Sequence, residues 1–229
     1  MSVSFLRRPV ALDVLTAGVI AGTSALTAAG YSRLPDPMPT HFDGLGRPNG
    51  WMPRSTGAWV IIATTVAVVL VFRAAGAVLP RGWREGFAAS PVRAVTLSLV
   101  VFLCGVQLLM LKAGLSPSPR LGGNVWLLVG ALLVALGLVL PRTRRNPLIG
   151  VRTPFTLASD ENWARTHRVA GYWMTLGGCA VMVAGFLGRP RLAVAGILVS
   201  AMAPVVWSWI LARRGPGDVP PLPGDPRGT

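Results

Sequence analysis

Six long apolar segments constrain this chain more than any other feature of its sequence. Five of them cover about 9–29, 57–79, 92–111, 125–140 and 192–211. The remaining one belongs to a helix expected to begin after residue 159 and to end at about 187. A helix needs roughly 20 apolar residues to cross a hydrocarbon core of about 30 Å, and most of these segments meet that length. Open sheets are excluded in lipid because their edge groups would stay unpaired. The sequence therefore predicts an all-α, multi-pass membrane bundle of about six transmembrane helices.

The composition supports the same class of protein. Hydrophobic residues make up 52% of the 229 residues and charged residues 13%, whereas about a quarter of the residues in a soluble domain are charged. The first segment is longer than the apolar region of a signal peptide and lacks a convincing cleavage site before Tyr31, so we expect a retained span. Cys104 and Cys179 lie inside predicted spans, where free cysteine acts as a small hydrophobe.

The basic residues predict the orientation of the bundle. The chain has 22 of them and a formal net charge of +14. If the N-terminus is inside, fifteen of the 22 lie on the inner side and seven on the outer side. Since basic residues concentrate on the cytoplasmic side of membrane proteins, we predict that both termini are cytoplasmic.

We expect three regions along the chain. Residues 1–111 form an N-terminal three-helix membrane region with an extracytoplasmic loop at 31–55, and residues 112–214 form a second membrane region with a cytoplasmic motif loop at 141–168. Residues 215–229 are rich in proline, which predicts a disordered tail.

The insertion from Arg142 to Tyr172 is the longest polar interruption between two apolar segments. Its basic residues are Arg142, Arg144, Arg145, Arg152, Arg165 and Arg168, and only Asp160 and Glu161 oppose them. We expect a turn at Asn146 and an extended step at Thr153-Pro154. Ser159 is a plausible helix N-cap.

On the helix after Ser159, one face should carry Trp163, His167, Ala170, Gly171 and Met174, because these residues follow a spacing of three and four. That face can dock against the bundle while the arginines stay in solvent, with Glu161 and Arg165 forming an i,i+4 pair. The arginines can anchor to anionic lipid or dock an acidic partner protein. Direct binding of nucleic acid is not expected, because no binding module accompanies them.

His167 has two interpretations. It either caps a carbonyl or stacks on Trp163, or it is a proton-linked or ligand-binding residue. Gln107 is most simply an interhelical hydrogen-bond partner, and Asp13 either reaches the interface and the helix dipole or takes part in a proton relay.

The loop after the first span should be a compact series of turns without a helix. Prolines stand at 35, 37, 39, 48 and 53, and glycines at 44, 46 and 50. Trp51 is expected at the headgroup level. His41 and Asp43 either satisfy backbone groups of the turns or supply two ligands to a zinc ion.

No pattern of catalytic or cofactor-binding residues is present. The two histidines, His41 and His167, fall on opposite sides of the predicted bilayer, and the sequence has neither HExxH nor GxSxG. We therefore expect no enzyme activity, no cofactor and no metal.

Two segments resemble known families. The inner segment NPLIGVRTPFTLASDENWARTHRVAG resembles the SdpI family of bacterial membrane proteins, and LPDPMPTHFDGLGRPNGWMPR looks like the loop of a domain of unknown function often fused ahead of it. The inner positions are Asn146, Gly150, Arg152, Thr153, Pro154, Thr156, Leu157, Trp163, Thr166, His167 and Gly171. The outer positions are Pro35, Pro39, His41, Phe42, Gly46 and Trp51.

The resemblance implies an immunity protein of the bacterial inner membrane that resists a membrane-active peptide toxin. It also implies relay of toxin binding to a cytoplasmic repressor protein. Pro39, His41, Phe42, Asp43 and Trp51 would form the toxin-sensing loop. Arg152, Trp163 and His167 would shape the cytoplasmic effector surface. The alternatives are a small-molecule or ion transporter that uses Gln107 and Asp13, and a metal-dependent membrane enzyme that uses His41 and Asp43.

Overall fold

A computed structural model describes residues 9–79, 90–146 and 148–214. The all-α membrane architecture is confirmed, because six helices in this part of the chain are long and apolar enough to cross a membrane. The helices are α1 (Pro9–Gly30), α2 (Arg54–Gly57), α3 (Val60–Val78), α4 (Ser90–Gly114), α5 (Asn124–Val139), α6 (Pro154–Ala158), α7 (Asp160–Phe186) and α8 (Pro190–Arg213). The predicted disordered tail at 215–229 and residues 80–89 of the loop between the second and third predicted spans lie outside the described residues.

The spanning helices form two units. In the N-terminal unit α1 and α3 pack against α4, and in the C-terminal unit α7 packs between α5 and α8. Contacts between α4 and α5 join the two units. We call the end of the bundle that carries residues 31–53 the hairpin end and the end that carries residues 143–158 the motif end.

The hairpin end contains two strands that the sequence analysis missed. β1 (Met38–Phe42) and β2 (Pro48–Met52) pair antiparallel after a 3₁₀ turn at Tyr31–Arg33. The many prolines and glycines hide the alternation of a strand pair, and irregular register at His41 absorbs them. Met38 is fully buried against α2 and α4, which fixes the hairpin on the N-terminal unit.

The C-terminal unit depends on close contact between the backbones of α5 and α7. Glycines recur every seven residues along both helices and meet in antiparallel pairs. The pairs are Gly123 with Gly185, Gly130 with Gly178, and Gly137 with Gly171. A Cβ atom at Gly130 would lie 2.5 Å from the carbonyl oxygen of Gly178. Lipid removes the hydrophobic drive for helix association, so van der Waals packing at small residues stabilises such pairs.

Gly178→Ala should destabilise the folded bundle because its Cβ would lie 2.6 Å from the carbonyl oxygen of Gly130. Overpacking a rigid contact costs about 1–3 kcal/mol. The measurement is the thermal unfolding midpoint of the detergent-purified protein.

Gly22→Ala is the matched control, because no atom lies within 4 Å of a Cβ at that position of α1. Alanine is the better helix former, so this variant should unfold at the same or a slightly higher temperature. Equal midpoints for Gly178→Ala and the unchanged protein would contradict the glycine contact.

Candidate functional site

The motif loop, residues 143–158, is organised by the buried side chain of Asn146. Its Oδ1 accepts hydrogen bonds from the amides of Leu148 and Ile149, at 3.0 and 2.7 Å. Its Nδ2 donates to the carbonyls of Arg144 and Ile149, at 2.9 and 3.1 Å. One amide side chain thereby satisfies four backbone groups of a turn that has no helix or strand to satisfy them.

His167 joins this loop to α7. Its Nε2 accepts the amide of Val151 at 3.0 Å, and its Nδ1 lies 2.8 Å from the carbonyl of Trp163. The amide requires a lone pair on Nε2 and the carbonyl requires a proton on Nδ1, so the partners select a neutral ring with the proton on Nδ1. Gly150 has φ +118°, and a Cβ there would collide with the same ring. Only glycine suits this position on both counts.

Trp163 completes the contact between loop and helix. It is 2% exposed, its Nε1 donates to the carbonyl of Thr143 at 3.0 Å, and its ring stacks on His167 with centroids 4.0 Å apart. The predicted capping and stacking role of His167 is confirmed. Both aromatic side chains lie beneath the loop, where they fix its position and do not face solvent.

The extended step expected at Thr153-Pro154 is the start of a helix. Thr153 has an extended backbone, as a residue before proline should, but it is the N-cap of α6 and Pro154 takes the first helical position. Thr153 and Thr156 form a reciprocal capping box, at 3.1 and 2.9 Å. Thr156 also donates to the carbonyl of Val151 at 2.7 Å. The expectation stopped at the proline and missed the threonine three residues beyond Thr153.

Ser208 attaches both the loop and α7 to α8. Thr153 Oγ1 lies 3.0 Å from Ser208 Oγ, and Asn162 Nδ2 donates to the Ser208 carbonyl at 3.0 Å. Thr166 in turn donates to Asn162 Oδ1 at 2.9 Å. As predicted, Ser159 caps α7, accepting the amide of Asn162 at 3.2 Å. Polar groups that would be costly in lipid are therefore used to join helices.

The arginines of the insertion do not all remain in solvent. Arg165 is only 8% exposed and pairs with Glu161 at 3.0 Å, so its expected solvent exposure is wrong while the predicted pair is confirmed. It shares the buried turn of α7 with Asn162 and Thr166, which the three-and-four spacing had not placed on the docked face. Arg145 pairs with Asp160 at 2.7 Å.

The exposed arginines of the insertion are Arg142, Arg144 and Arg152. Of the residues expected to shape an effector surface, Arg152 alone is exposed, whereas Trp163 and His167 are buried. Gly171 lies between α5 and the adjoining Pro141. A partner that docks at this end meets guanidinium groups held by a rigid loop.

At the hairpin end, His41 and Asp43 have separate roles. Asp43 Oδ1 accepts the amides of Leu45 and Arg47 at 2.8 and 2.9 Å, which is the predicted turn role. The ring of His41 hydrogen-bonds across the hairpin to Asn49 Oδ1 at 2.5 Å. Among the described residues no three potential metal ligands come together.

The other predicted hairpin residues divide between core and surface. Pro39 is buried and pairs with Trp51 in the register of the strands. Phe42 packs against the core beneath the hairpin. Trp51 is 56% exposed, and its position at a membrane headgroup level stays a prediction. Of the five predicted sensing residues, His41 and Trp51 are therefore the exposed ones.

An apolar cavity of about 570 Å³ separates the two units at the motif end. Loop residues 148–153 line one side of it, and Phe72, Leu99, Met174 and Pro204 line the helices around it. Ile149 packs beside it against Val92 and Val95 of α4. The motif loop therefore borders the space between the units.

Sequence reasoning missed the residues that connect these parts. The seven-residue recurrence of glycine was readable in both segments, and Thr153 with Thr156 was readable as a capping box. Thr143 and Ser208 carried no local signal, because their partners are 20 and 46 or more residues away.

Comparison with known proteins identifies two segments. Residues 142–210 match the SdpI/YfhL protein family, and residues 18–66 match a domain of unknown function, DUF1648. Neither curated proteins nor solved structures gave a match. Both resemblances drawn from the motifs are confirmed. The division of the chain at residue 111 stays a prediction.

His167→Ala should loosen the motif loop, because it removes the stacking partner of Trp163 and leaves the Val151 amide without its acceptor. Such a loss costs about 1–3 kcal/mol, which corresponds to roughly tenfold or more in the opened population of the loop. The measurement is the rate of trypsin cleavage after Arg152 in the detergent-purified protein.

His41→Ala removes the other histidine from an exposed hairpin and serves as the control, for which cleavage at Arg152 should not change. Equal cleavage rates in the two variants would show that His167 does not hold the loop.

Proposed function

We propose that this chain, a multi-pass membrane protein whose residues 142–210 match the SdpI/YfhL family, protects a bacterium against a membrane-active peptide toxin. In this proposal the hairpin end faces outward in the bacterial inner membrane and senses the peptide. The motif end relays that event to a cytoplasmic repressor protein. The proposal includes no enzymatic step and no cofactor.

One observation carries the proposal: the hairpin and the motif loop are joined by a continuous rigid path. The amide of Leu121 donates to the carbonyl of Gly46 in the hairpin turn at 3.0 Å. Leu121 leads directly into α5, and glycines 123, 130 and 137 contact α7 between Gly171 and Gly185. The first turns of α7 carry Trp163 and His167, which hold the motif loop.

A relay also needs two arrangements whose stabilities a ligand can change. The apolar cavity between the units is lined by both units and by the loop, so packing there is incomplete while packing at the glycine contact is close. A shift of α5 and α7 against the N-terminal unit, started at the bond between Leu121 and Gly46, would change this cavity and the position of residues 148–153. Rigid movement of one packed unit against another is an established form of switching.

The surface at the motif end suits an acidic partner. Arg142, Arg144 and Arg152 are exposed, and no acidic side chain of the described insertion is paired with Arg142 or Arg144. Guanidinium groups form paired hydrogen bonds with carboxylates, so this surface favours an acidic face of a protein.

The transporter alternative lacks a convergent polar site. Gln107 donates to the Ala58 carbonyl at 2.8 Å and to Thr27 at 3.3 Å, which is the predicted interhelical role. Asp13 lies at the other end of α1, about 21 Å from Thr27 along the helix axis. For the enzyme alternative, the Asp43 Oδ1 oxygen is already engaged by the hairpin turn.

Expression of this protein in a sensitive bacterium should raise survival and preserve membrane potential during challenge with an Sdp-type peptide. Trp51→Ala should lose most of that protection, because it removes the largest exposed aromatic surface of the hairpin. Trp209→Ala is the matched control, since Trp209 is 43% exposed on α8 at the motif end. Loss of protection in the control alone, or no protection at verified membrane expression, would contradict the proposal.

Arg152→Ala separates relay from protection. It removes an exposed side chain without touching the contacts of Asn146 or His167, so survival should remain. Peptide-dependent recovery of the repressor in the membrane fraction should fall. Unchanged recruitment in this variant would exclude Arg152 from the partner surface.

A further inference from the structure

A second cavity, of about 230 Å³, lies at the motif end of the N-terminal unit, outside both family-matched segments. Three charged side chains from three different helices border it: Asp13 of α1, Arg73 of α3 and Arg93 of α4. Asp13 pairs with Arg73 at 2.9 Å and more loosely with Arg93 at 3.7 Å. The sequence analysis had left Asp13 with either an interfacial or a proton-relay role and had not identified these partners.

The charges around this cavity do not balance. Two guanidinium groups face one carboxylate, which leaves one positive charge uncompensated among the described lining residues. Arg93 touches Asp13 through Nε alone, and among the described residues its two Nη groups have no partner. The cavity therefore offers donors to a negatively charged group.

The neutral polar residues of the wall reinforce this selectivity. Thr16 donates its hydroxyl proton to the Leu12 carbonyl at 2.7 Å, and Thr96 donates to the Val92 carbonyl at 3.0 Å. With both hydroxyl protons engaged inside their own helices, the donors left for a ligand are those of the arginines. A planar guanidinium fork suits the oxygens of phosphate.

The depth of the cavity points to the membrane as the source of that phosphate. Asp13, Arg73 and Arg93 lie three to five residues from the adjacent helix ends, or about 5–8 Å along the helix axes. A spanning helix of this length only just crosses the hydrocarbon core, so these positions lie near its edge. The long side chains of Arg73 and Arg93 can extend from there to the level of the phospholipid phosphates.

An amphipathic ligand also fits the surroundings. Phe72 lines both this charged cavity and the larger apolar cavity between the units. A phosphate beside the two arginines would therefore lie next to space suited to an acyl chain. We propose that the cavity bordered by Asp13, Arg73 and Arg93 binds the phosphate group of a phospholipid.

The test measures thermal unfolding of the full chain in detergent against increasing dioctanoyl phosphatidylglycerol. The lipid should raise the midpoint, whereas inorganic phosphate at the same concentration should not. The double variant Arg73→Gln with Arg93→Gln should weaken the apparent lipid affinity roughly tenfold or more. Arg214→Gln, which removes an exposed arginine at the same end, should leave it unchanged.

Asp13→Asn distinguishes a binding site from a purely structural ion pair. Removing the competing carboxylate leaves two arginines for the phosphate, so lipid affinity should rise even where the midpoint without lipid falls. Arg93→Lys keeps the charge and serves if the glutamine variants do not fold; its lipid affinity should fall below that of the unchanged protein, because an ammonium group lacks the paired donors of the guanidinium fork.

Unaltered lipid affinity in the double variant, or reduced affinity in Asp13→Asn, would overturn the site. An equal rise of the unfolding midpoint with inorganic phosphate would identify a free anion as the ligand and overturn the phospholipid assignment.

Discussion

The glycine contact between α5 and α7 is the constraint on which the C-terminal unit depends. Three pairs of glycines bring two backbones together over about 21 Å of helix. In lipid, where apolar side chains gain little by meeting each other, this approach supplies van der Waals contact that larger residues would prevent. It also fixes the direction of α7, and so the position of Trp163 and His167 beneath the motif loop.

The motif residues of this chain are mainly determinants of the loop conformation. Asn146, Gly150, Thr153, Thr156, Trp163 and His167 satisfy or shape backbone that has no regular partner. Buried backbone groups at a membrane interface are costly when unpaired, so a long polar loop there requires dedicated side chains. What these residues present to solvent is chiefly the exposed arginines.

The sequence predicts what local chemistry decides and misses what depends on neighbours distant in the chain. Hydropathy locates the six spans because a helix that crosses lipid needs a similar length each time and must pair its backbone groups internally. Ser159, the Glu161–Arg165 pair and the stacking of Trp163 on His167 follow from helical spacing. The burial of Arg165 and the ion pairs of Asp13 require knowledge of which helices are adjacent. The two strands between residues 38 and 52 could not be predicted, because their prolines hide the alternating pattern of a strand although an irregular hairpin tolerates them.

Different interactions stabilise the two ends of the N-terminal unit. At the hairpin end, Met38 is fully buried, and Gln107 connects α4 to Thr27 of α1 and to the Ala58 carbonyl, so three segments meet in a packed core. At the motif end the same helices meet through partly exposed ion pairs around a cavity, and such pairs hold helices only weakly. Packed interfaces resist displacement, while weak ion pairs exchange partners easily. Movement of this unit should therefore pivot at the hairpin and be largest beside the motif loop, where a bound lipid or a docked protein can select one arrangement.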